Sequence, residues 1–190
     1  MSSRCATLPP VPRTRTELDR DAKVAEILEA AERRLREGGY DALSVVGIAR
    51  ELGLAQNALY WYFPSKDHLF VAALERMMRS IAAGKPPRRG GIERQVMWFV
   101  DRLAEHDQVR AAMYDRARTS PVVAEFTSEL NATWRRMLAH VLADRVPPAD
   151  LDLAVDTMLA TINGALSQHL PATRRRRVIA FALERLTPAR

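Results

Sequence analysis

Residues 44–63 read SVVGIARELGLAQNALYWYF. Val45, Ile48, Ala49 and Leu52 recur at helical spacing and place one apolar stripe on a short helix. Ser44 stands just before that stripe, where a hydroxyl caps the free backbone N–H groups of a helix start. Gly53 breaks the helix, because without a Cβ it accepts the positive φ of a sharp interhelical turn, and the small Ala49 lets a second helix cross close by. With Leu54 and Leu59 supplying apolar contact across the crossing, the stretch reads as a helix-turn-helix.

The second helix is expected from about Gln56 to Tyr62, and it leads into the aromatic run Tyr60, Trp61, Tyr62 and Phe63. Successive helical residues point about 100° apart, so consecutive rings cannot all face one core. Leu59 and Phe63 share the inward stripe, which leaves Gln56, Asn57, Tyr60, Trp61 and Tyr62 outward to varying degrees. Amides bond base edges and tyrosine hydroxyls hold phosphate oxygens, so such a face suits the major groove of DNA. The alternative is that these aromatics only pack a small helical core.

The longer stretch ALSVVGIARELGLAQNALYWYFPSKDHLF, residues 42–70, resembles the DNA-binding module of the TetR family of bacterial transcriptional regulators. That resemblance, which spans roughly the first 80 residues, implies an all-α protein of about nine helices. A three-helix DNA-binding domain would be followed by a helical-bundle domain for ligand binding and dimerisation. It further implies that Gln56, Asn57, Ala58, Tyr60, Trp61 and Tyr62 face DNA, that Ser44 and Val45 meet backbone phosphate, and that Lys66 does so from the start of the fourth helix. Two positions depart from the family pattern: Val46 stands where some members place a base-reading Arg or Lys, and Ala55 where many place a Ser or Thr cap. Sequence preference therefore cannot be copied from a relative.

At 190 residues with 47% hydrophobic content, the chain can bury a sizeable core. Apolar runs are too short for a membrane span and the N-terminus lacks a signal-peptide core, so a soluble cytoplasmic protein is expected, with no membrane partner. Cys5 is the single cysteine, which excludes an internal disulfide and a cysteine-based zinc cluster and reads as an incidental thiol. The net charge of +6 is weak support for nucleic-acid binding, because residues 1–64 hold nine basic and nine acidic side chains. The local signal is better: Arg4, Arg13 and Arg15 occur with no acid in the first sixteen residues, as suits an arm along phosphates or in a minor groove.

Residues 1–15, with Pro9, Pro10 and Pro12, read as a disordered basic arm, and 16–64 as the DNA-binding domain. Thr16 to Asp19 resembles a capping box, followed by the stripe Val24, Ile27, Leu28, Ala31 and Leu35, and Gly38 with Gly39 ends that first helix. Pro64 stops the recognition helix, Ser65 and Asp67 start the next, and Phe70, Ala73, Leu74, Met77 and Ile81 carry it as a connecting helix over 65–83. GKPPRRGG, residues 84–91, is the clearest boundary. Beyond it, over 92–190, only helical patterns follow, with the last two helices expected at about Pro148 to Leu170 and Thr173 to Leu186. Leu159, Ile162 and Leu166 on the first of these and Phe181 on the second are expected at a dimer interface, because the apolar arcs are wider than one core needs. Burial within one subunit is the alternative.

Met77, Met97, Trp98, Met113, Tyr114, Trp134, Met137 and Met158 give the second domain a soft, aromatic-rich interior, where a small apolar or aromatic effector could lodge or where the residues simply pack a core. His106, His140, Asn163 and His169 are possible polar anchors, and Arg174 to Arg177 a solvated basic run. No phosphate loop, zinc-binding His pair or nucleophile elbow is present, so no cofactor, metal site or catalytic residue is assigned and an all-helical enzyme has no positive support. The expectation is a homodimeric repressor of a palindromic double-stranded operator, released by an effector. The rival is an architectural or effector-independent DNA-binding protein of the same fold.

Overall fold

The computed structural model describes residues 15–84 and 91–187. The basic arm and Cys5, and most of the expected boundary segment, lie outside the described residues. Within them the chain forms nine α-helices and no strand: α1 (Arg15–Ala42), α2 (Val45–Glu51), α3 (Gln56–Tyr62), α4 (Lys66–Ala83), α5 (Gly91–Ala104), α6 (Asp107–Arg116), α7 (Pro121–Leu142), α8 (Leu151–Ser167) and α9 (Ala172–Leu186). This is the all-α architecture that the helical spacing and the family resemblance both imply.

Local chemistry sets the boundaries. The Gly47 N–H donates to Ser44 Oγ at 3.0 Å and the His68 N–H to Ser65 Oγ at 3.3 Å, so both expected caps form. α1 is interrupted at Gly38 and Gly39, where the backbone leaves helical geometry. It is already helical at Arg15, so Thr16 lies inside the helix rather than capping it. Gly53 has φ of 65°, and the Leu54 N–H donates to the Ala49 carbonyl at 2.8 Å, the reversed bond that closes a helix on a left-handed residue. Pro147 and Pro148 delay the eighth helix: Pro148–Asp150 forms a 3-10 turn and α8 proper begins at Leu151.

Two buried clusters hold the fold together. The first is centred on Ile27, Leu35, Ile48, Leu59, Leu69 and Phe70 from α1 to α4, and it continues into Val109 and Met113 of α6 and Val123 of α7. The second joins α5, the C-terminal half of α7, α8 and α9 around Val100, Leu142, Val155, Met158 and Ile179. The core of the DNA-binding helices is thus continuous with the base of the second domain. Ion pairs reinforce this arrangement at its edge: Glu51 of α2 accepts from Arg33 and Arg34 of α1, and Glu32 of α1 pairs with Arg36 and, at 3.1 Å, with Arg76 of α4. Among the described residues no helix is long and apolar enough to cross a membrane.

Candidate nucleic-acid interface and regulatory cavity

The recognition helix α3 is anchored by Leu59, which is fully buried, and by Phe63 just beyond its end. With those side chains turned inward, Gln56, Asn57 and Tyr60 are exposed, and Trp61 is 86% exposed at the C-terminal end. Ala58 and Tyr62 are half-buried, and Tyr62 packs against the first core, so its ring is less available than Trp61. α3 starts without a side-chain cap at Ala55, which leaves its first N–H groups free for other acceptors.

α2 presents a different surface. The Val45 side chain is buried, so a phosphate contact at this position can use only its main-chain N–H, and the Ser44 hydroxyl is engaged in capping. Val46 is exposed beside them. Lys66 is half-buried, with its ammonium 4.1 Å from the centroid of the Tyr40 ring, and desolvation by burial pushes its pKa below the usual lysine range. It lies in the first turn of α4, immediately after α3.

The same turn carries a junction that the sequence did not disclose. Arg116, at the end of α6, grips Asp67 with two parallel bonds of 2.9 Å, and the Tyr40 hydroxyl donates to Asp67 Oδ1 at 2.5 Å. These bonds to Arg116 hold the Asp67 carboxyl well below the usual carboxylate range, against the opposing effect of burial. Burial first, then the bond to Asp67, pushes the Tyr40 hydroxyl up to about 12. The tie therefore joins α1, α4 and α6 at one point.

Above it, α4, α5, α6, α7 and α8 surround a cavity of about 140 Å³ whose lining is mainly apolar. Met77, Met113, Tyr114, Trp134 and Met137 line it. Three expected lining residues do not. Met97 and Met158 are buried in the second core, and Trp98 packs edge-on against Phe99 at 4.9 Å and closes over Gly84, where an added Cβ would meet its ring at 2.6 Å. Periodicity could not say which side of their helix faced the void. Of the possible polar anchors, His106 and Asn163 line the cavity, and burial lowers the His106 pKa. Arg110, which the sequence reading did not single out, also lines it.

The expected dimer residues divide similarly. Leu159 and Ile162 face the cavity and Leu166 is buried in the second core, so this stripe of α8 serves its own subunit. The outward side of α8 instead shows Leu153, 68% exposed, and Phe181 on the neighbouring α9 is 59% exposed. The Arg174 to Arg177 run is partly engaged, since Arg175 and Arg176 both bond Asp101 of α5.

The profile describing bacterial regulatory proteins of the tetR family matches residues 27–73, which cover the end of α1 through the first half of α4. Over 165 residues the chain is 30% identical to the HTH-type transcriptional repressor Rv1474c of Mycobacterium tuberculosis (strain ATCC 25618 / H37Rv), covering 80% of this chain and 88% of that one. The chain belongs to the TetR family. Another family relative, the HTH-type transcriptional repressor KstR of Rhodococcus jostii (strain RHA1), is 31% identical over 146 residues, which are 72% of this chain and 66% of KstR. The TetR fold extends beyond the matched module: a transcriptional regulator from Saccharomonospora viridis, solved in complex with choline, superposes with a TM-score of 0.70 at 19% identity, covering 86% of this chain and 96% of that one. As a member of this family the chain is a helix-turn-helix transcriptional regulator.

Proposed function

We propose that this TetR-family regulator is a homodimeric cytoplasmic repressor that binds a palindromic operator and is released by a small apolar or aromatic molecule. The observation that carries the reading is the double duty of α4. Its first turn abuts the recognition helix and is gripped by Arg116, while Leu74, Met77 and Met78 further along it line the cavity. A ligand that displaces α6 or α4 shifts the recognition helix with it, and affinity for DNA changes by the difference in the ligand's affinity for the two arrangements. The cavity favours this reading over an effector-independent architectural protein. The choline held by the S. viridis regulator supports effector binding in this fold.

Within the proposed complex, Tyr60 and Lys66 hold phosphates while Gln56, Asn57, Trp61 and Tyr62 meet bases or their sugar edges, with Ala58 close to the groove floor and Ser44 and Val45 at the backbone. A two-fold dimer offers two such helices, which enter successive major grooves when they stand about 34 to 36 Å apart. Leu153 and Phe181, not the inward stripe, supply the exposed apolar surface for pairing. The double variant Leu153→Glu/Phe181→Glu tests this, because both positions are open to solvent within one chain. Sedimentation should show wild type as a dimer and the variant as a monomer, with affinity for a selected palindrome reduced by about a hundredfold through loss of bivalency. A variant that stays dimeric and binds as wild type does would refute this pairing surface.

A further inference from the structure

The face that α3 turns outward carries no charge. Between Ser44 and Ser65 the only charged side chains are Arg50 and Glu51. Glu51 accepts from Arg33 and Arg34 of α1, and Arg50 lies in the last turn of α2, the helix that crosses the phosphate backbone in this motif. Lys66, the next basic residue, rests over the Tyr40 ring. Guanine is most often read by an Arg or Lys placed at its O6 and N7, and α3 has neither residue.

What α3 offers instead is an amide and an indole in register. Asn57 and Trp61 stand four residues apart, so they share one face of the helix, a turn from each other. Both are exposed, Trp61 to 86%. A carboxamide matches the N6 donor and N7 acceptor of adenine with a pair of bonds. An indole has a single donor and is otherwise a broad apolar plate. The apolar group that base pairs project into the major groove is the C5 methyl of thymine. We infer that Trp61 is a specificity-determining residue that packs on thymine C5 methyls of the operator, beside an adenine held by Asn57, so that α3 selects A·T pairs and makes no guanine contact. This rests on the operator-binding reading and names the bases that it leaves open.

The full chain is titrated by fluorescence anisotropy against the sequence enriched from random duplexes and against copies altered by single groups. Uracil in place of each symmetric thymine pair removes only the methyl, and 7-deazaguanine in place of each symmetric guanine pair removes only the N7 acceptor. At one thymine pair or more, uracil should weaken binding about fifteenfold, from about fourfold for each of the two methyls buried. With Trp61→Ala thymine and uracil should bind equally well at that pair. The Trp61 side chain belongs to neither buried cluster, so this variant should melt as wild type does. Each 7-deazaguanine duplex should bind within about twofold of its parent. Should the variant fail to fold, the ranking of analogues by wild type decides alone. Uracil tolerated at every pair, a uracil penalty that Trp61→Ala leaves undiminished, or a 7-deazaguanine penalty as large as the uracil one overturns the inference and leaves the operator reading intact. A selection that enriches no sequence overturns both.

Discussion

At the residue scale, the helix-turn-helix depends on a few backbone requirements that any chain in this register must meet. Gly53 sits at φ of 65° with open space where a Cβ would go, so the cost of Gly53→Ala is conformational and not steric. Thermal unfolding should show a loss of about 1 to 2 kcal/mol with α3 otherwise intact; an unchanged melting temperature would mean the turn does not need that conformation. These features were legible beforehand because cap and turn chemistry is written within a few residues, as Ser44 with Gly47 and Ser65 with His68 illustrate. The role of Lys66 is of another kind, since its ammonium rests on Tyr40 while its place in the chain is the first turn of α4, just after α3. If it holds one phosphate per subunit, Lys66→Ala lowers affinity for every duplex alike and reduces the salt slope by about 0.9 per contact. An unaltered slope would remove Lys66 from the interface.

At the scale of elements, the connection between reading and sensing runs through α4 and α6. The Asp67–Arg116 pair spans 49 residues of sequence, and nothing local marks Arg116 as the partner, which is why the tie could not be read from spacing. Arg116→Gln should leave affinity for a cavity ligand within about twofold of wild type yet diminish the ligand's effect on DNA affinity by about tenfold, within the range of ordinary allosteric coupling. Coupling as strong as in wild type would place the transmission elsewhere. The pH dependence of this tie has a definite sign. A carboxyl lowered on folding, as Asp67 is, stabilises above its unfolded pKa of about 3.9 and loses that contribution as pH falls toward the folded value. A tyrosine raised on folding to about 12 stabilises below its unfolded value of about 10 and loses that contribution as pH rises through 12. The difference in melting temperature between wild type and Arg116→Gln should therefore stay level between about pH 5 and 9, the interval clear of both transitions.

At the scale of the whole molecule, helical periodicity revealed the all-α class and the order of elements but not which stripe of a helix faces which neighbour. Leu159, Ile162 and Leu166 form a stripe good enough for a dimer surface, yet they line the cavity and core of their own subunit, and the pairing surface proposed instead lies on the opposite side at Leu153. Trp98 and Trp134 are alike in sequence terms, and only packing sends Trp134 to the cavity and Trp98 over Gly84. What unites the molecule is the claim that α3 reads base edges with an uncharged face, while the helices behind it fix and adjust its position. The most direct measurement is binding-site selection from random duplexes with wild type and with Gln56→Ala and Asn57→Ala, whose side chains are exposed and carry no part of the fold. Wild type should enrich a palindrome, and each variant should relax or change the preferred base at one symmetric pair of positions, with a discrimination loss of about 1 to 3 kcal/mol there. Recovery of the same palindrome with equal stringency by both variants would contradict the assignment of α3 as the reading element.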